Sequence, residues 1–320
     1  FWMNAIEAEV YSGLVFFVNL IIWLTLRWVQ HSEDMNKQNE LLLIVYLFFL
    51  GFCVHQTALQ IAPAILFIVV YPLFREGTNK SSFWPKVIGY TFAIIIGYVI
   101  FGAIGHELMI DDFDKWGFAL VVLLLLWIEL RDVFDKRLWF LAVVLVLLGI
   151  SSHLYIPVRA AQRPFINEGH PSTWKMFTDY VLRKQYGETS FFVRRASFFG
   201  EQMGYHFLRY LWDQWLNSSI ISAWLKVPGN LIKAISAIIT GGLGILGAVF
   251  QARRNKHSFF YLLSLVFCTT ILMVFVINLS NAEVRDRDYF FVVGYNMLAI
   301  WIGIGAMALV TLAKDKSVQI

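Results

Sequence analysis

Between two long apolar runs, Ser258 to Asn278 and Tyr289 to Leu312, the chain carries the stretch Glu283-Val284-Arg285-Asp286-Arg287-Asp288-Tyr289-Phe290-Phe291. Five of the six residues from Glu283 to Asp288 are charged. Each flanking run is long enough to cross a bilayer, and a charge at the mouth of a membrane helix is costly to desolvate unless it is paired or used. The residue types fit the handling of a phosphate and of a proton. Arg285 and Arg287 can hold phosphate oxygens through a planar, permanently charged guanidinium. Asp288 can take a proton as a general base, and Tyr289 adds a ring and a hydroxyl. The plainer reading is a short connector whose ion pairs cancel, with Asp288 neutralising Arg285.

Four further polar segments carry groups of the same kind. Glu7, Glu9 and Tyr11 precede the first apolar run; His55 lies in Gly51 to Pro63; Arg159 follows Pro157; and Arg183-Lys184-Gln185-Tyr186-Gly187 lies further along the same loop. Each has a plainer role. Glu9 could place favourable charge at a helix N-terminus, and His55 could be a hydrogen-bonded turn residue. Asp111, Asp112 and Asp114 read as a solvated acidic loop or as a place for a divalent cation.

What brings these segments together must be the membrane. The chain is 58% hydrophobic and 15% charged, with mean hydropathy +0.64, too apolar for a soluble domain of its length. Nine runs can span: Val10 to Trp28, Leu41 to Val54, Ala58 to Phe74, Val87 to Ile104, Trp116 to Leu130, Leu138 to Ile156, Leu231 to Phe250, Ser258 to Asn278 and Tyr289 to Leu312. With nine spans, thirteen Lys and Arg fall on one side and three on the other, outside the long loop. Merging the second and third runs weakens the asymmetry to eleven against five, so the positive-inside rule favours nine. The basic side is then cytoplasmic, and every polar segment named above faces outward. The net charge of +4 reflects these basic loops and gives no reason to expect a nucleic-acid partner.

The expected fold is thus all-α and polytopic. A bundle of about six spans occupies residues 1–156, an extracytoplasmic loop residues 157–230, and a bundle of about three spans residues 231–320. In the loop, Ser172 and Thr173 can cap a helix bearing Trp174, Phe177, Val181 and Leu182, stopped by Gly187. A second helix, Phe198 to Leu216, puts Phe199, Met203, Phe207, Tyr210 and Trp215 on one face, either flat in the interface or packed on the ends of spans. Cys53 and Cys268 lie inside apolar runs and read as small hydrophobes. Gly241, Gly242, Gly244 and Gly247 sit within a span, where small residues permit close helix packing rather than phosphate binding. No metal motif and no serine or cysteine nucleophile motif stands in the sequence.

In this order and on one side, the set Glu9-Val10-Tyr11, His55, Tyr155 to Ala161, Arg183 to Gly187 and Arg285 to Phe291 resembles a bacterial family of multi-spanning glycosyltransferases related to the animal protein O-mannosyltransferases of the endoplasmic reticulum. The matching segments run from Phe1 to Gly305. The resemblance implies a GT-C-type architecture, a site at the extracytoplasmic face, a polyprenyl-phosphate-linked sugar of mannose type as donor, a protein hydroxyl as acceptor and membrane lipids as surroundings. It implies a bacterial inner membrane rather than the endoplasmic reticulum. The family also carries an acidic motif in an outer loop after its first span. Because the sequence opens at Phe1, the resemblance implies an internal fragment entering at about the third span, without that catalytic loop.

On this reading Glu9 and Asp288 are the catalytic carboxylates, and Arg159, Arg183, Arg285 and Arg287 hold the donor phosphate. Tyr11, His55, Gln185, Tyr186 and Tyr289 complete the surroundings; no cofactor is assigned, and a divalent cation is the alternative. Two other classes fit less well. A carrier or flippase for a polyprenyl-linked or amphipathic substrate should put ionisable groups at the midplane and show related halves. A scaffold subunit needs no clustered charges at all.

Overall fold

A computed structural model of the chain describes residues 10–30, 38–76, 83–108, 113–130, 136–182, 184, 193–214, 219–283 and 286–317. Every regular element among them is a helix. The first, α1 (Tyr11–Gln30), buries Leu14, Val18, Ile21 and Thr25 at three- and four-residue spacing and leaves Phe16 and Trp23 exposed on the other side. In an apolar helix of this length, such exposed side chains face lipid. The buried hydroxyl of Thr25 donates to the Ile21 carbonyl at 2.7 Å, so it needs no other partner in the interior.

Next come α2 (Gln38–Val54), a 3-10 turn (Gln56–Ile61) leading into α3 (Ala62–Glu76), α4 (Phe83–Leu108) and α5 (Phe113–Leu130). The sixth, α6 (Lys136–Ser151), runs through a 3-10 turn into α7 (Tyr155–Ala161), so the helix passes Ile156 before the loop begins. The last three long helices are α11 (Gly229–Arg254), α12 (Lys256–Thr269), continued by α13 (Ile271–Ile277), and α14 (Val292–Ser317). Helix therefore covers all nine apolar runs. Six of these helices are long and apolar enough to cross a membrane. Gln38–Val54 and Gln56–Tyr71 are shorter, and α5 carries Asp114, Lys115 and Glu129, so a count of nine crossings rests on those three.

The main core joins the two ends of the chain: Leu14 and Val18 of α1, Ile68 of α3, Leu265 of α12, and Val293 and Met297 of α14 lie in one cluster. Within it Asn296 donates to Asn19 at 2.7 Å, a polar tie between α1 and α14. Helices α11 and α14 meet backbone to backbone. A Cβ on Gly247 would lie 1.9 Å from the Trp301 carbonyl oxygen, and one on Gly305 1.9 Å from that of Leu243. Gly241 and Gly242 have nothing within 4 Å. Of the four glycines expected to allow close packing, Gly247 makes the close approach, and its counterpart on α14 is Gly305.

Two ends of the bundle are distinct. At one, Arg27 pairs with Glu40 at 3.3 Å and the Tyr71 hydroxyl lies 3.2 Å from His257 Nδ1. At the other, Tyr11, His55 and Tyr289 gather, and the Cys53 thiol lies 2.6 Å from His153 Nδ1, tying α2 to the end of α6. Cys53 is thus more than an apolar filler, a contact made across about a hundred residues that its neighbours in sequence do not announce.

The loop folds onto that second end. Helix α8 (Trp174–Val181) starts at Thr173, whose hydroxyl oxygen accepts from the Met176 N–H at 3.3 Å, as the sequence predicts. A π-helix (Phe198–Leu208) follows and passes into α9 (Arg209–Asp213); a short α10 (Ser219–Leu225) precedes α11. The wider π turn corrects the expected apolar face. Gln202, His206, Phe207 and Tyr210 are buried, whereas Phe199 is 83% exposed, because a spacing near 4.4 residues per turn turns a different stripe inward than one of 3.6. Trp215 lies outside the described residues. The buried stripe packs on Met273, Val274, Leu279, Phe291 and Tyr295 at the ends of α13 and α14, the second of the two arrangements that the sequence leaves open.

Candidate functional site

Asp288 opens a 3-10 turn, Asp288–Phe291, that feeds α14. The turn presents Tyr289 to α1, where its ring lies 4.8 Å from that of Tyr11, centroid to centroid. The Tyr11 ring is in turn 5.3 Å from His55, and His55 is 6.5 Å from Phe290. Three elements far apart in sequence thus build one aromatic wall: the start of α1, the turn after α2 and the entry to α14.

His55 owes its position to capping. Its Nδ1 accepts from the Thr57 backbone N–H at 3.3 Å and lies 2.6 Å from the Thr57 hydroxyl. An Nδ1 that accepts a backbone N–H is unprotonated, which puts the proton of the neutral ring on Nε2. Next to it, Gln56 donates to the Val181 carbonyl at 2.7 Å and binds α8 to this turn.

Arg287 stands beside the wall. Its Nη1 donates to the Tyr289 hydroxyl at 2.9 Å and its Nε to Glu283 Oε2 at 3.2 Å. Glu283 also accepts from the Ser280 backbone N–H and hydroxyl, both at 3.0 Å. Burial alone would raise the Glu283 carboxyl, but the Ser280 hydrogen bonds and the Arg287 charge outweigh it and hold the group below its ordinary value. Arg287 moves the other way, its guanidinium held above its ordinary value: burial opposes this, and the Tyr289 hydroxyl and Glu283 prevail. The Arg287 side chain is 33% exposed and that of Glu283 13%. One end of the guanidinium is therefore fixed by the protein while the group still reaches the surface.

The backbone of Arg287 is held as well. Its N–H donates to the Tyr210 hydroxyl at 3.0 Å. His206 Nε2 lies 3.0 Å from the Ser280 carbonyl oxygen, which only accepts, so Nε2 carries a proton; in the neutral ring Nδ1 is then the acceptor that faces the Tyr210 hydroxyl at 3.4 Å. Burial pushes the Tyr210 phenol up and keeps it a donor. Arg209, stacked 4.8 Å from the Tyr210 ring centroid, ion-pairs with Asp286. The π-helix that supplies these groups is locked in turn. Asn278, in left-handed backbone with φ 51°, donates to the Val193 carbonyl and accepts from the Arg195 N–H and from Gln202 Nε2. Arg194 bonds the Phe275 carbonyl at the end of α13 and the Gln202 side-chain oxygen.

Of the residues named from the sequence, the structure brings Tyr11, His55, Tyr289 and Arg287 together, with the half-buried Asp288 one position from Tyr289. Arg159 stands apart, at the exposed end of α7, where it donates to Gln162 at 2.8 Å. Glu9, Arg183, Gln185, Tyr186 and Arg285 lie outside the described residues, as do Asp111 and Asp112. Glu283, Tyr210, His206 and Gln202 were not singled out as site residues. The signal for the first was its four-residue offset from Arg287; for the others it was polar side chains recurring within an aromatic helix. Among the described residues, no group of three His, Cys, Asp or Glu side chains could hold a metal ion.

Chemically, a guanidinium with a fixed edge suits an anionic phosphate oxygen, and flat aromatic rings suit the C–H face of a sugar. Residues 1–78 match a family model described as "Protein O-mannosyl-transferase TMEM260 N-terminal domain". The match relates the first quarter of the chain, including Tyr11 and His55, to protein O-mannosyltransferases. No curated protein and no solved structure matches the chain significantly.

Proposed function

We propose that the chain is a membrane glycosyltransferase that moves a mannose-type sugar from a polyprenyl-phosphate carrier to a hydroxyl of a protein acceptor at the extracytoplasmic face. One observation carries this reading. The segment similar to O-mannosyltransferases supplies Tyr11 and His55, and these pack against Tyr289, whose hydroxyl is bonded to Arg287 from the far end of the chain. Among the described residues Arg287 commits two of its guanidinium donors to the protein, and the others are available to a phosphate leaving with negative charge. The carboxylate that takes the acceptor proton is Asp288, at the turn, or Glu9, two residues before Tyr11.

The reading is tested in membranes from cells that make the protein, supplied with polyprenyl-phosphate mannose and a peptide rich in serine and threonine. Transfer of mannose to the peptide, reduced by Arg287→Ala, is the expected result. Movement of the intact lipid-linked sugar between leaflets without transfer points instead to a carrier and overturns the proposal.

A further inference from the structure

The helix Lys136–Ala161 is longer than the hydrocarbon core requires. About twenty residues cross that core, so counted from Lys136 the last turn, with Arg159, lies at headgroup depth. Phe140, Leu147, Leu154 and Val158 recur at helical spacing along its exposed side and form a stripe that faces lipid.

At Arg163 the chain turns back: this residue takes left-handed backbone, φ 53°, and Pro164 follows. The side-chain amide of Asn167 then donates to the Ala160 carbonyl at 3.2 Å and closes the turn against the last turn of the helix. Asn167 is itself 2.7 Å from His170 Nδ1. The apex of this closed turn is Phe165 and Ile166, which are 105% and 82% exposed. Arg159 and Arg163 are exposed just before the apex, and Glu168 is exposed after it. Two large apolar side chains held bare by a fixed turn mark a contact surface. They follow directly on the helix that carries the lipid-facing stripe, and the two cations before them complement the phosphates found at that depth.

We propose that this turn is a bilayer-seating element: Phe165 and Ile166 insert at the boundary between headgroups and acyl chains, and Arg159 and Arg163 bind the phosphates of the surrounding phospholipid. The element fixes the depth of Lys136–Ala161. Through the α7–α8 segment and the Gln56 bond to Val181, it also fixes the height of the turn that holds His55.

Vesicles of phosphatidylethanolamine and phosphatidylglycerol containing the full chain provide the test. Phe165→Cys, Ile166→Cys, Phe140→Cys and Glu168→Cys, each in a Cys53→Ser, Cys268→Ala background, receive a nitroxide. Power saturation then compares collisions with oxygen, which partitions into lipid, and with a water-soluble nickel chelate. Labels at 165 and 166 are expected to match the one at 140, rich in oxygen and poor in nickel, while the one at 168 shows the reverse. Nickel accessibility at 165 and 166 equal to that at 168 overturns the proposal, and so does loss of both kinds of collision, which means protein contact. Because removing Cys53 breaks its contact with His153, a second measurement keeps both cysteines and places benzoylphenylalanine at position 165. Photocapture of phospholipid is expected. Capture of polypeptide alone, an acceptor peptide included, rules the proposal out.

Discussion

The ring of Tyr11, at the first turn of α1, packs on the ring of Tyr289, at the entry to α14, with centroids 4.8 Å apart. The chain's two ends thus share one wall. Because the Tyr289 hydroxyl also accepts from Arg287 at 2.9 Å, the position of that guanidinium depends on packing at the opposite end of the sequence.

Replacing Arg287 by alanine is expected to lower mannose transfer by about 100- to 1,000-fold, the usual effect of removing one oriented electrostatic donor. Arg287→Lys should rescue little, since lysine cannot hold Glu283 and Tyr289 while facing a phosphate. Tyr289→Phe, which removes one partner and keeps the ring, should cost on the order of tenfold. Initial rates in membranes measure all three, and a wild-type rate for Arg287→Ala sinks the assignment.

A pH experiment addresses Glu283. Burial works to raise its carboxyl, but the Ser280 hydrogen bonds and Arg287 together hold it below the ordinary value of 4.5. A carboxyl depressed in the folded state stabilises fully above its unfolded value, and that stabilisation disappears as pH falls through the lower folded value. In detergent, the wild type should therefore lose more thermal stability than Glu283→Gln when pH is lowered from neutral through 4.5 and below. Parallel loss in the two proteins excludes an ionised Glu283 as the anchor of Arg287.

Gly247→Ala and Gly305→Ala should each destabilise the crossing of α11 and α14. Each new methyl would meet a backbone carbonyl oxygen at 1.9 Å, and backbone gives way only by separating the helices. Overpacking of this kind costs about 1–3 kcal/mol or more. Gly241→Ala and Gly242→Ala meet nothing within 4 Å and should be tolerated. Monodispersity and melting in detergent distinguish the pairs; equal behaviour of all four contradicts the close crossing.

Asn278→Ala removes the acceptor of the Arg195 N–H and of Gln202, and the donor to Val193. Buried groups left unpaired cost about 1–3 kcal/mol each. The π-helix should then detach, and limited proteolysis should cut within residues 193–214 faster than in the wild type. An unchanged cleavage pattern shows that the segment is held without Asn278.

Cysteine scanning tests the sidedness expected from the basic loops. Lys256 and Asn281 are both exposed, at opposite ends of the α12–α13 helix. An impermeant thiol reagent added outside intact cells should label Asn281→Cys and spare Lys256→Cys. The reverse result turns the whole site toward the cytoplasm.

The sequence by itself determined the helices, because length and hydropathy decide what can span a bilayer and Thr173 suffices to start α8. It also marked Arg287, Asp288 and Tyr289, because charges beside an apolar run are conspicuous wherever the chain folds. Only the tertiary structure decided that Arg287 joins Tyr11 and Tyr289 while Arg159 stands at an exposed helix end, since both follow an apolar run and look alike in sequence. The same holds for the partners of Cys53 and Gln202, for Gly305 opposite the α11 backbone, and for the π turn that buries Gln202 and His206 and leaves Phe199 bare. The reason is physical: a periodic pattern fixes a helix through neighbours three to five residues apart, whereas these contacts depend on the rotation and depth at which separate helices meet, and packing alone sets those.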